Sequence, residues 1–382
     1  MKKLPVTFET ITPLFTGDCN QEMTEIKPTS IMGSLRLWFE VICHFSGKFN
    51  NEAYSKNELN AKEFKGFIKE KPDTTSEEIQ KEFKLSPTAF YFGCTGWKSR
   101  IGIEKIHASE ESNLGNFLSN PEVIYFDKYV TNPIWKECSL KDYKRKDKRE
   151  KQKLSSWFLP NQYFCGKFEI TFSLPDKSLK ENILFPVLSF IQEYGFLGGK
   201  NNLGYGRVKI LNPSFTNKEM IILRKKIDYT ALIRSKQLKE SEMVNYSSDK
   251  MEVLWLQEVI EKTHKHQKYY KIDNPFCSFI ENYEKENFNL KDEQPKLTYQ
   301  DSIKCLLLIK SKMRSRIKFS KKRHFYFGSI KKENYYEYIK SKKYEVTGPN
   351  ATKIIPLIRE NKRGFLAIPG IIEMEETINE KQ

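Results

Sequence analysis

The sequence predicts an α+β protein of two domains, the first with the strand–helix–strand–strand–helix–strand order of a ferredoxin-like fold. Three observations carry this expectation. Apolar residues near the start alternate with period two. Thr29–Phe45 then carries a helical stripe. A strand, a helix, a glycine-rich loop and a last strand run from Tyr163 to Leu211. A chain of 382 residues has room for about two domains. Asn212-Pro213-Ser214 is the expected boundary, giving domains 1–213 and 214–382.

The first strand is Pro5–Thr12, where Val6, Phe8 and Thr10 alternate with Thr7, Glu9 and Ile11. After the loop Thr16–Asn20, a helix is expected at about Thr29–Phe45, with Ser30 as N-cap and Pro28 just before it. Ile31, Leu35, Trp38, Ile42 and Phe45 form its core stripe, and Gly33, Arg36 and Glu40 its outer side. Residues 47–86, rich in Lys, Glu, Asn and Thr, read as a polar insertion with room for a short helix. A strand returns at Lys98–Ile106. The charge run Lys141–Lys153 reads as a mobile surface loop. Tyr163–Leu174 reads as one long strand and Phe185–Tyr194 as a helix ended by Gly195. Pro186 is either the first residue of that helix or a kink in it. Arg207–Leu211 closes the domain.

In the second domain Met251–Thr263 and Tyr299–Phe319 read as helices. Phe325–Phe327, Tyr344–Thr347 and Gly364–Ile368 read as strands. The expectation is an α+β domain with more helix than the first and a loose polar tail after Ile372.

Charge narrows the function. Lys and Arg number 65 against 49 acidic residues, a net charge of +16. Such an excess suits a polyanion or an acidic protein, a merely soluble basic protein being the plain alternative. No apolar run of about 18 residues exists, so no membrane span is expected. The start, Met1-Lys2-Lys3-Leu4-Pro5, lacks the apolar stretch of a secretory signal. The seven cysteines are scattered and form no C-x-x-C pair, so neither a metal site nor a disulfide framework is expected, and a reducing cytoplasm fits. No cofactor motif is present.

Four segments are candidates for RNA contact. The first is Gly195–Gly206, where Gly198, Gly199, Gly204 and Gly206 surround Lys200, Asn201, Asn202 and Tyr205, with Arg207 following. Glycine allows close backbone approach, and such a loop can cradle phosphate. Its spacing fits neither a P-loop nor a dinucleotide fingerprint, and an ordinary helix-to-strand turn is the alternative. The second is the start of the first helix, with Lys27, Ser30, Gly33 and Arg36, where free amides and a positive dipole end suit phosphate. A normal capped helix competes with that reading. The third is Phe92–Arg100, in which Trp97 could stack on a base beside Lys98 and Arg100, or simply be buried. The fourth is Met313–Gly328, with Arg314, Arg316 and Arg323 among its cations.

Catalytic constellations are poor. His264 and His266 would diverge by about 200° on a helix, which argues against a metal pair. His44 could act as a general base on a ribose hydroxyl, and Asp18 is the other group of interest.

Several of these segments resemble the RAMP superfamily of CRISPR–Cas proteins. Thr12-Pro13-Leu14-Phe15, followed by Glu25-Ile26-Lys27-Pro28-Thr29-Ser30-Ile31-Met32-Gly33-Ser34-Leu35-Arg36-Leu37-Trp38, is similar to the family's "E-I-R-P-x-S-I-R-G-x-L-R-x-W" pattern. Phe92-Gly93-Cys94-Thr95-Gly96, Gly198–Gly206 and Arg323-His324-x-x-Phe327-Gly328 resemble later motifs. Met32 stands where the family usually has Arg, and Lys200, Asn201 and Asn202 replace a more Arg-rich stretch. Within the superfamily, the resemblance is to the first-numbered subunits of type III-B (Cmr) complexes. It implies two ferredoxin-like (RRM-like) domains, the second diverged, and a non-catalytic subunit near the 3′ end of the CRISPR RNA. The implied partners are CRISPR RNA, target RNA and other RAMP subunits. Two other classes stay open: a metal-independent RAMP endoribonuclease that processes repeat RNA with His44 as base, and a scaffold whose charge meets acidic protein only.

Overall fold

The computed structural model describes residues 2–17, 22–46, 56, 58–108, 113–114, 123–127, 136–160, 162–213, 222, 227–238, 250–256, 259–262, 268–271, 299–316, 327, 335–339, 342–346, 353–359, 362–369 and 374–376. In chain order the elements are β1 (Lys2–Thr10), α1 (Pro28–Phe45), α2 (Ala61–Glu70), α3 (Ser76–Glu82), α4 (Pro87–Phe92), β2 (Gly102–Ala108), β3 (Asn113–Leu114), β4 (Val123–Asp127) and β5 (Lys136–Cys138). Next come α5 (Leu140–Arg145), α6 (Lys148–Lys153), β6 (Leu154–Phe158), β7 (Phe164–Cys165), β8 (Lys167–Leu174), α7 (Lys177–Leu179), a π-turn (Lys180–Leu184), α8 (Phe185–Glu193) and β9 (Val208–Asn212). The chain continues with α9 (Tyr229–Leu232), β10 (Ile233–Gln237), β11 (Met251–Trp255), β12 (Val259–Lys262), β13 (Lys268–Lys271) and α10 (Tyr299–Arg316). It ends with β14 (Tyr335–Ile339), β15 (Lys342–Val346), β16 (Lys353–Arg359), β17 (Lys362–Ile368) and β18 (Met374–Glu376). The fold is α+β with largely antiparallel sheets.

Two compact units result: Met1–Gly115 with Gln162–Lys200 and Tyr205–Leu232, and Asn116–Asn161 with Asn201–Gly204 and Ile233–Gln382. The first unit has a four-stranded sheet in the order β2-β8-β1-β9, each neighbouring pair antiparallel. With α1 between β1 and β2, and α8 between β8 and β9, this is consistent with the ferredoxin-like order. Period-two patterning has its expected effect. Val6 and Phe8 of β1 and Ile170 and Phe172 of β8 are fully buried, while Thr7, Glu9, Glu169 and Thr171 on the other face are partly exposed. Phe8 stacks on Phe168 at 5.2 Å between ring centroids. Onto that core α1 turns Ile31, Leu35, Trp38 and Ile42, and it packs against α8. The indole of Trp38 donates to the Phe196 carbonyl at 2.7 Å, so the ring is buried without leaving its N–H unpaired.

Local chemistry moves several boundaries. Pro28 is the first residue of α1 and Lys27 its N-cap, so Ser30, expected as the cap, lies inside the first turn. Gly166 divides the expected strand 163–174 into β7 and β8, and β2 starts at Gly102, after the Cys94–Trp97 turn. Pro186 lies in the first turn of α8 after a π-turn in one continuous helical run, and that widened turn accommodates the missing amide hydrogen. The polar insertion contains α2 and α3, the latter held by a Thr75–Glu78 capping box.

In the second unit β10-β11-β17-β16 form a sheet, with β10 parallel to β11 and the other pairs antiparallel. Against it packs α10. A three-stranded sheet, β5-β4-β6, lies in the same unit. Met251–Thr263, expected to be helical, forms β11 and β12 instead. Met251, Glu252, Val253 and Leu254 of β11, a central strand of its sheet, are all buried, so both of its faces are covered, and such a continuous run carries no period that separates strand from helix. Among the described residues, those beyond 214 hold fewer helical residues than those before it, where more helix than in the first domain was expected. The expected loop at 141–153 is the helix pair α5–α6, and the tail expected to be loose contains β18, paired with β15. Of the strand expected at Phe325–Phe327, only Phe327 is described, and its backbone is helical.

Candidate nucleic-acid interface

The start of α1 and the loop 198–200 come together in the first unit. Lys27 is the N-cap of α1 without a side-chain capping hydrogen bond, Pro28 occupies the first turn, and no acidic residue lies there. The positive end of an eighteen-residue helix is thus left without an internal carboxylate. Thr16 fixes its entry: its hydroxyl donates to the Glu25 carbonyl at 2.9 Å and accepts from the Lys27 amide at 3.1 Å. The Ser34 hydroxyl accepts the Gly198 amide at 2.8 Å and donates to the Ser30 carbonyl at 3.0 Å, which ties the loop to the helix. Gly199 donates its amide to the Phe15 carbonyl at 2.7 Å. Gly198 has φ +72°, and a Cβ there would lie 2.3 Å from the Phe15 carbonyl oxygen, so only glycine fits. Lys200 takes a left-handed φ of +58°, with its ammonium 5.7 Å from the centre of the Phe15 ring.

Around this junction Lys27, Ser30, Gly198, Gly199 and Lys200 are partly exposed. Gly33 is exposed, and a Cβ built on it meets nothing within 4 Å. Among the described residues, therefore, packing does not require glycine at 33, unlike at 198. On the same helix Arg36 donates to the Gly93 carbonyl at 3.0 Å.

Other candidates have structural employment. Arg207 is fully buried. Its guanidinium donates to the carbonyls of Ile191 at 2.8 Å, Gln192 at 2.7 Å, Glu193 at 3.1 Å and also Gly195, at the C-terminal end of α8. It satisfies carbonyls that the helix end leaves open, so the expected phosphate contact by Arg207 is corrected to a helix cap. Tyr205 is buried and meets Tyr163 edge-on, and burial pushes its phenol above the ordinary range. Gly206 has φ +91°, donates to the Pro13 carbonyl at 2.7 Å and would place a Cβ 2.0 Å from the Leu197 carbonyl oxygen. Tyr205 and Gly206 thus serve the fold rather than a surface.

Trp97 is half-buried, stacked at 5.9 Å on Phe90, and donates its indole N–H to the Phe90 carbonyl at 3.0 Å. Its ring is engaged in the chain's own aromatic cluster, as the alternative of a buried Trp requires. Arg100 pairs with Glu77 at 3.1 Å and Asp176 at 3.9 Å and lies over Phe90, so its charge is already matched. Lys98 is exposed.

In the second unit, Asn201–Leu203 form a single 3₁₀ turn that ends at the buried Gly204, and Asn202 is exposed. The Asn202 carbonyl accepts from Lys310 at 3.2 Å. Lys310 was missed by sequence reasoning, although a lysine after Leu306-Leu307-Leu308-Ile309 was a signal. It is buried, lies 5.2 Å from the Trp157 ring centre, and burial together with the nearby Arg314 lowers its pKa to about 7. Arg314 is exposed on α10, Arg316 is the last residue of that helix, and Arg323 and Asp18 lie outside the described residues.

His44 is half-buried in the last turn of α1 with its ring edge-on to Phe45; burial lowers its pKa, with Glu40 acting in the opposite sense. Burial pushes the thiols of Cys43 and Cys165 up to about 12 and about 11, so neither is a ready nucleophile. No helix among the described residues is long and apolar enough to cross a membrane.

A sequence model of the RAMP superfamily matches residues 7–209. No curated protein matches the chain. Among solved structures, Cmr1 from Pyrococcus furiosus in its apo form is similar, with 12% identity and a TM-score of 0.35, covering 100% of this chain and 92% of that one. A chain from a type IV-B CRISPR complex is 14% identical with a TM-score of 0.31, covering 56% of this chain and 93% of that one.

Proposed function

The chain belongs to the RAMP superfamily, and from that premise we propose that it is a non-catalytic, RNA-binding subunit of a type III-B CRISPR RNA-guided effector complex. In this reading it lies near the 3′ end of the CRISPR RNA, helps to bind target RNA and is flanked by other RAMP subunits in the cytoplasm. Its domains are proposed to be residues 1–213 and 214–382, the segment Asn116–Asn161 packing with the second.

The observation that supports RNA binding most directly is the junction of α1 with the loop 198–200. A helix with no acidic residue in its first turn, two partly exposed lysines, Lys27 and Lys200, and an exposed Gly33 whose added Cβ would meet nothing within 4 Å occur in one cluster. Amides and cations at such a place suit a phosphate backbone and carry no base-reading pattern, so binding is tolerant of sequence. The test is an RNA titration of the Lys27→Ala/Lys200→Gly variant. Glycine at 200 removes the charge while keeping the left-handed backbone. Loss of two phosphate contacts is expected to lower the log–log salt slope by about 1.4, at about 0.7 per contact on single strands. An unchanged slope and affinity would remove this junction from the RNA surface.

The non-catalytic reading has its own test. Single-stranded and repeat RNA incubated with the purified chain, with Mg²⁺ or with EDTA, is expected to stay intact. Cleavage abolished by His44→Ala would replace this reading with the endoribonuclease.

A further inference from the structure

We propose that the α5–α6 pair of the second unit is a further RNA contact: a pre-ordered cationic platform that binds the phosphates of a single strand, beside the exposed ring of Phe158, which receives a base. This deepens the RNA-binding reading and rests on it, but uses residues outside the α1 junction.

The segment Lys141–Lys153 holds eight cations and three acids. Its acids are occupied locally. Asp142 packs against Ser139 at 2.7 Å and lies 4.0 Å from Arg145. Asp147 accepts the Arg149 amide at 2.8 Å as the N-cap of α6, and Glu150 pairs with Lys146 at 2.9 Å. Two further cations lie over rings of the unit itself, Lys146 at 5.0 Å from Tyr125 and Lys151 at 5.9 Å from Tyr143. Lys141, Lys144, Lys148, Arg149 and Lys153 remain exposed and have no ion pair among the described residues.

These five charges are held on folded backbone. Ser139 caps α5 by accepting the Asp142 amide at 3.1 Å. Tyr143 is buried against Val123 and Tyr125, and its hydroxyl shares a 2.6 Å hydrogen bond with Ser156 of β6. The two short helices are thereby fixed to the β5-β4-β6 sheet. Concentrating like charge on ordered backbone is unfavourable by itself, and a polyanion relieves it by releasing condensed counterions. Ordering before binding also lowers the entropy lost on association. Phe158, at the end of β6, is 49% exposed and meets Tyr143 edge-on at 5.5 Å. An exposed aromatic ring packed on Tyr143 of α5, the helix pair that carries the unpaired cations, suits single-stranded RNA, because every base has a face to stack while the cations follow the backbone. An acidic protein would use the charge and leave the ring unexplained.

The experiment titrates the full chain with a fluorescein-labelled oligouridylate over a range of salt. For Lys144→Ala/Lys148→Ala/Arg149→Ala the expected result is weaker binding with the log–log slope lower by about 2, three contacts at about 0.7 each, at an unchanged melting temperature. Phe158→Ala is expected to weaken binding about fivefold or more with the slope unchanged. Ultraviolet cross-linking of the unaltered chain to thiouridine-containing RNA, mapped by peptide, does not depend on any variant folding; cross-links within residues 136–158 are expected. If the unaltered chain binds RNA in a salt-dependent way, yet the triple variant binds identically or no cross-link maps to 136–158, the platform is refuted and the α1 junction stands. If the unaltered chain binds no RNA, the RNA-binding reading fails and the platform with it.

Discussion

Two buried cations in this chain do opposite work. Arg207 uses its planar fork to close the carbonyl end of α8, donating to four carbonyls from one buried side chain. Arg207→Ala leaves several buried carbonyls unpaired and is expected to lower stability by roughly 3 kcal/mol or more, read by urea unfolding. Arg207→Lys is not expected to rescue it, because an ammonium cannot fork. Lys310 instead is held near neutrality by burial. Its folded pKa, about 7, is below the ordinary lysine value near 10.4, so from pH 7 to about 10 the unfolded chain holds the extra proton and stability rises with pH. Lys310→Met should flatten that rise and stabilise the chain at pH 6 relative to the parent, measured as denaturation midpoints across pH. An unaltered pH profile would mean that Lys310 stays charged in the fold. Neither role was legible beforehand, since a sequence does not tell an arginine that follows a glycine turn into a core from one that follows it to a surface.

At the scale of elements, legibility followed period. The strand β1 and the helix α1 could be read because each has one buried face, so residues alternate or recur as sheet or helix requires. By contrast β11 is buried on both faces and shows no period at all. The pair α5–α6 escaped for another reason: each helix has only six residues, with one buried anchor, Tyr143, between them. Its caps, Ser139 and Asp147, were the available signals. Of the candidate site, the α1 motif was legible as a helix start beside glycines, whereas the docking of loop 198–200 through Ser34 depends on a contact 164 residues apart in sequence. Gly33 yields an expectation specific to α1. Because a Cβ there meets nothing, Gly33→Ala should stabilise the helix by up to about 1 kcal/mol, seen as a higher melting temperature. A lower one would show that the glycine serves the fold.

For the molecule as a whole, a charge of +16 on an α+β scaffold of the RAMP superfamily makes salt the informative variable. RNA affinity of the parent chain is expected to fall linearly on a log–log salt plot, with little dependence on base sequence. A flat response would turn attention to an acidic protein partner. The central claim is that the α1 junction is an RNA surface whose glycine is kept for an outside chain. The measurement that tests it most directly is the Gly33→Gln variant, followed by RNA titration and thermal melting together. The account expects a melting temperature equal to or above the parent's and RNA affinity lower by roughly tenfold, because the added side chain occupies the space that a phosphate backbone needs. Unchanged RNA affinity in a fully folded Gly33→Gln protein would contradict it.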